Sequence, residues 1–263
     1  LMEKKILYLL TCVGLCWSSC TNEVDEFIGN VEPSTRSVST ALNANLASLF
    51  TGGAPTLTSA EIKEVNDAYA KMTSINCYRN IDEAVRNKTS YAGTIFLDDT
   101  YASAYFRKGS LAFPPYGILA SSMEHEFIHM YQRDVQGKKV DTDKEKRDTG
   151  MMEFELAFYQ GIIRYIHAGY SWTFKGEDGD PSYQSLWTSG LTDPSLIPQY
   201  EREFQTYVAS ICANGKPTSI DINEFVKWSN IFGEYSRGYS GKGYKFGNYD
   251  YGTSCINSLL KLY

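Results

Sequence analysis

Apolar residues recur at helical spacing over several long stretches of this chain and run together over a few short ones, so helices should dominate and strands be few. Ile62, Val65, Ala68, Tyr69 and Met72 form one such stripe. It follows Thr58-Ser59-Ala60-Glu61, where Thr58 or Ser59 caps the helix and Glu61 or Glu64 supports its first turn. That face belongs to a core. Thr94-Ile95-Phe96-Leu97 reads as a buried strand, 101–106 as a second and Ser110-Leu111-Ala112-Phe113 as a third. Lys108-Gly109 makes a turn before the third strand, and Pro114-Pro115 ends it. A helix over 116–132 comes next. Its Met123, Phe127 and Met130 share a core face, while Ser121, His125, His129 and Gln132 share another that must open to a site.

Residues 137–147 are polar and charged, which predicts an exposed loop. A second long helix is expected over 151–168, with Asp148 as a capping residue just before it. Residues 169–195 are loop-rich, 198–212 and 221–232 suggest two further helices, and 233–252 are rich in Gly and Tyr ahead of a last apolar run, 256–262. The predicted fold class is α+β: mostly helical, with a small sheet preceding the helix over 116–132.

The first twenty residues break the pattern. Lys4 and Lys5 precede a short apolar run, 6–17, too short to be a comfortable transmembrane helix. Ser18-Ser19-Cys20 follows, and small residues directly before a cysteine resemble the lipobox of bacterial lipoproteins. The resemblance implies that residues 1–19 are a removed signal and that Cys20 carries lipid. It also implies export, as an outer-membrane lipoprotein facing the periplasm or the cell surface. The acidic run Glu23-Val24-Asp25-Glu26 resembles the surface-export signals of some such lipoproteins, and suits a solvated linker equally well. Residues 20–58, rich in Ser, Thr, Asn, Gly and Pro, are expected to be a tether with at most one short helix around 40–50. Residues 59–263 are expected to form the folded domain.

Composition narrows the functions. The 263 residues suffice for one large domain or two small ones, and 43% hydrophobic with 21% charged residues is ordinary for a globular protein. A net charge of −6, with no basic run or basic aromatic stripe, excludes a nucleic-acid surface. Cys12 and Cys16 leave with the signal, so Cys77, Cys212 and Cys255 remain and at most one disulfide forms. No cysteine lies near a histidine in sequence, which argues against a thiol nucleophile.

The chemistry concentrates in His125-Glu126-Phe127-Ile128-His129, which reads H-E-x-x-H and takes two of the chain's three histidines. Histidines at i and i+4 share one helix face a turn apart, so both can reach one Zn²⁺. Glu126 then stands close enough to hold a metal-bound water and take its proton. Chance supplies such a motif in about one chain in a hundred of this length.

Catalytic zinc takes three protein ligands. The metzincin pattern, a third histidine at a short fixed distance after the motif, does not occur here. The second long helix instead offers Glu153-Phe154-Glu155, and residues i and i+2 on a helix point apart by about 200°. A strand, then an H-E-x-x-H helix, then a helix carrying glutamate resembles the gluzincin branch of the zincin metallopeptidases, over roughly residues 90–170. The local Glu-x-Glu-Leu-Ala resembles the form in which the first glutamate is the ligand. The resemblance thus implies His125, His129 and Glu153 as metal ligands, with Glu155 the alternative, and Glu126 as the base. The Asp or Asn that family members often show four residues after the ligand is replaced by Ala157, or by Tyr159 for Glu155, leaving the support of one histidine unexplained. His167, about 21 Å further along a helix axis from Glu153, is an unlikely ligand and reads as a surface or half-buried residue. Tyr235, Tyr239 and Tyr244 are oxyanion donors by composition only.

These features predict zinc-dependent hydrolysis of peptide bonds in a peptide or protein substrate, at a membrane reached through the lipid anchor. The alternative is a non-catalytic surface-binding lipoprotein on a zincin scaffold.

Overall fold

The computed structural model describes residues 41–101, 103–138, 146–167, 193–235 and 256–263. The signal, Cys20 and the first half of the expected tether lie outside them. The fold is α+β and mostly helical, with one small three-stranded sheet. It divides into two compact units: one within Gly29–Val140, completed by Ser258–Tyr263, and one within Asp141–Asn257. No helix among the described residues is long and apolar enough to cross a membrane.

In the first unit, α1 spans Ala44–Leu49, α2 Ser59–Ser74 and α3 Asn76–Lys88. The short helix expected around 40–50 is present as α1. Leu46, Leu49 and Phe50 are buried, and Thr51 N donates to Tyr91 O at 2.8 Å, so this stretch is folded in by its apolar side chains. The start of α2 is as its residues predict: the Thr58 hydroxyl accepts from Glu61 N, and the Glu61 carboxylate accepts from Thr58 N at 2.6 Å, a capping box. Val65, Ala68, Tyr69 and Met72 are buried along it. Ile75 then adopts an extended conformation and separates α2 from α3. Helix α3 is an addition to the elements expected. Its apolar stripe is narrow (Cys77, Tyr78, Ile81, Val85) and its other faces are polar, so the periodicity is easily passed over.

The sheet has the order β1-β3-β2, from β1 (Ile95–Leu97), β2 (Tyr105–Arg107) and β3 (Ser110–Phe113). β1 runs parallel to β3 with Ile95 opposite Leu111, and β2 runs antiparallel to it with Tyr105 opposite Ala112. Lys108 and Gly109 join β2 to β3 with φ of 51° and 78°, the two positive values that a tight two-residue hairpin turn requires. β2 starts later than expected. Asp98 accepts from Thr100 N at 2.8 Å and turns the chain, which leaves Tyr101 exposed instead of paired. Gly93 is needed for close approach: a Cβ there would stand 2.2 Å from Gly109 O.

Helix α4 spans Ala120–Met130 and continues into a π-helical turn, Tyr131–Val135. The expected core face holds, since Met123, Phe127 and Met130 are all buried. α4 packs on α2 and α3, with the Phe127 ring 6.1 Å from that of Tyr69. At the end of the chain, Asn80 Nδ2 donates to Leu262 O at 2.6 Å.

In the second unit, α5 spans Lys146–His167, α6 Ile197–Ile211 and α7 Ile222–Tyr235. α5 begins five residues before the expected start at Met151, so the stretch expected to cap it, 148–150, lies within the helix. A two-stranded ribbon, β4 (Cys212–Ala213) with β5 (Lys216–Pro217), follows α6. The core of this unit is aromatic, built from Phe154, Phe158, Phe204, Phe225, Trp228 and Phe232. Cys77 and Cys212 carry thiols and no bridge joins them, and Cys255 lies outside the described residues.

Candidate metal centre

The two motif histidines are brought together by α4 as their spacing requires. Both are half-buried, on the face opposite the Met123–Phe127 stripe. Their rings meet edge to face, with centroids 4.7 Å apart and planes at 81°. The Nε2 atoms face each other at 3.2 Å. Tetrahedral zinc with Zn–N bonds of about 2.0–2.1 Å holds two ligand nitrogens about 3.3 Å apart, so the pair fits one ion with little movement. Glu126 is buried, with only 4% of its surface exposed, and its Oε1 lies 3.9 Å from His125 Nε2.

Glu153 stands on the second turn of α5, half-buried where its helical neighbours are buried. One ligand atom each from His125, His129 and Glu153 lie within 4.8 Å of one another, and this group could hold a metal ion. Glu155, the alternative, is fully buried and outside that group. His167 ends α5 and is exposed, and it too is outside the group. Of the candidate oxyanion donors, Tyr235 packs at the end of α7 with its ring 5.8 Å from that of Tyr200, while Tyr239 and Tyr244 lie outside the described residues. Cys20, the lipidation candidate, lies outside them as well.

One partner of the motif is legible only in part from the sequence. Gln132 was expected on the histidine face but without a task. It is fully buried, and its Oε1 lies 2.9 Å from His129 Nδ1. The spacing of three residues, one helical turn, is the signal that could have found it.

Comparison with family models, with curated proteins and with solved structures finds no match.

Proposed function

We propose that the chain is an exported zinc metallopeptidase, gluzincin-like, held at the outer membrane by lipid on Cys20. The observation that carries this reading is the 3.2 Å approach of two imidazole Nε2 atoms beside a buried carboxylate, Glu126. Two neutral imidazoles and one carboxylate are the donor set of catalytic zinc sites that keep a position open. His125, His129 and Glu153 would hold the ion. A bound zinc ion supplies Lewis acidity, which polarises a peptide carbonyl and makes a nearby water acidic near neutral pH. Glu126 accepts the proton of that water and passes it to the leaving amine. Its burial keeps bulk water from competing for the carboxylate. The lipid anchor and the export route are supported by Ser18-Ser19-Cys20 and the apolar run before it.

Zinc analysis and turnover of a fluorogenic peptide library test the proposal together. The wild type should contain one zinc per chain and lose turnover on chelation. Glu126→Gln should keep the zinc and lose roughly 10²–10⁴-fold in turnover. His129→Ala should lose the zinc itself. A wild type that holds no zinc, or equal turnover with Glu126→Gln, overturns the reading. Zinc without turnover of any peptide favours the surface-binding alternative. Cys20→Ser should abolish incorporation of labelled fatty acid.

A further inference from the structure

Helix α4 does not simply stop after its second histidine. Tyr131 N is bonded to both Phe127 O and Ile128 O, and the chain then widens into the π-turn Tyr131–Val135, closed by Gln136 N donating to Tyr131 O at 3.0 Å. Lys138 N donates to Gln132 O at 3.0 Å and fixes the backbone that carries the Gln132 side chain. The next residues fasten the turn from outside. Arg133 forks onto Asp134 through Nε at 2.9 Å and a terminal nitrogen at 2.6 Å. The Tyr91 hydroxyl donates to the same carboxylate. The Arg133 guanidinium lies 4.3 Å above the Phe106 ring and 5.4 Å above that of Tyr91. A π-turn inside a helix is rare and is commonly found at functional sites.

We propose that Gln132 is the positioning residue for His129, on a backbone that the fastened π-turn holds in place. This rests on the metal-site reading above. The amide Oε1 has lone pairs and no proton, so at 2.9 Å it accepts the hydrogen of His129 Nδ1. That bond selects the tautomer in which Nε2 keeps its lone pair, and it aims that lone pair at the space shared with His125 Nε2. Metal-ligating histidines ordinarily have this task done by a carboxylate or a carbonyl. Gln132 does it with a side-chain carbonyl, which, unlike a carboxylate, orients the ring without adding negative charge to the donor set of His125, His129 and Glu153. It also answers the missing Asp or Asn on α5: one histidine is held from its own helix.

Two readouts test the role. In the metal-free wild type, at a pH where the ring is neutral, nitrogen NMR should show His129 as the Nδ1–H tautomer. Gln132→Leu, of similar volume but with no acceptor, should move it toward Nε2–H and weaken zinc binding by about 10–100-fold. Gln132→Glu, which restores an acceptor, should return affinity to within a few-fold of wild type. An Nε2–H tautomer in the wild type, or a Gln132→Leu protein that binds zinc like the wild type, overturns the assignment. The wild-type spectrum needs no folded variant. A wild type that fails to take up zinc defeats the metallopeptidase reading, while its tautomer still decides the role of Gln132.

Discussion

The unit that carries the histidines and the unit that carries Glu153 are built by different means. In the first, apolar packing is interrupted by directional polar anchors. Asp82, 1% exposed, accepts from the Tyr69 hydroxyl at 2.8 Å and pairs with Arg86 at 2.9 Å, tying α2 to α3. Tyr91, Asp134 and Arg133 tie the end of α4 to the segment before β1. In the second, rings fill the space. Phe154 lies 5.1 Å from Phe158 and 5.0 Å from Phe225, Phe158 lies 5.5 Å from Phe204, and Phe204 lies 5.6 Å from Trp228. Hydrogen bonds fix orientation, whereas ring packing fixes volume and tolerates small rotations. An imidazole that must present one nitrogen needs the first kind of support. A carboxylate, with two equivalent oxygens, tolerates the second.

The largest expected effect lies in the aromatic unit. Phe158 is fully buried against four rings, so Phe158→Ala should cost about 3–5 kcal/mol, read as a lowered urea midpoint. Asp82→Ala should come second, at roughly 2–3 kcal/mol. It strands the buried Tyr69 hydroxyl, while the partly exposed Arg86 can turn to water. A loss at Asp82 larger than that at Phe158 would mean that anchors, not rings, carry the greater share, and would reverse the comparison.

The first unit is itself unevenly legible from the sequence. The H-E-x-x-H residues, the core face of α4, the capped start of α2 and the hairpin turn at Lys108-Gly109 all follow from local spacing, which is why they could be named in advance. Helix α3 could not, because a stripe of Cys77, Tyr78, Ile81 and Val85 among charged residues looks like loop until α2 and α4 cover it. The packing of 44–51 is hidden for a similar reason: the Ser, Thr, Gly and Pro content around it suggests a tether, and only three apolar residues, Leu46, Leu49 and Phe50, draw it into the core. Between Glu153 and Glu155 only resemblance chooses, since two glutamates two residues apart face opposite sides of one helix and nothing local says which side meets the histidines. Glu153 belongs to the group with His125 and His129 that could hold a metal ion, and Glu155 does not.

A smaller effect tests whether the anchors of the first unit begin at its first long helix. Thr58→Ala removes the hydroxyl that accepts from Glu61 N and should cost about 1 kcal/mol, with Thr58→Ser close to wild type. Thermal unfolding of the two variants measures it. No loss in Thr58→Ala would place α2 among elements held by burial alone, as in the aromatic unit.

The smallest effect concerns an anchor near the surface. Asp98 accepts from the Thr100 hydroxyl, the Thr100 backbone and the Tyr105 hydroxyl, and these bonds hold its carboxyl below the ordinary value of 3.8. The same contact helps push the Tyr105 phenol up to about 12, after burial, which is the larger cause. A carboxyl depressed in the folded state binds its proton more readily when unfolded. Its contribution is therefore complete at pH well above 3.8 and fades as pH falls through the lower folded value. Asp98→Asn should consequently be slightly less stable than the wild type at neutral pH, and the gap in urea midpoint should close on acidification below pH 3.8. The carboxylate is still partly in contact with solvent, and water and salt screen it, so the gap stays small. A gap that stays constant with pH would show that the turn after β1 depends on the shape of the Asp98 side chain and not on its charge. The directional support of the first unit would then be confined to its buried groups, Asp82 and the Tyr91–Asp134 contact.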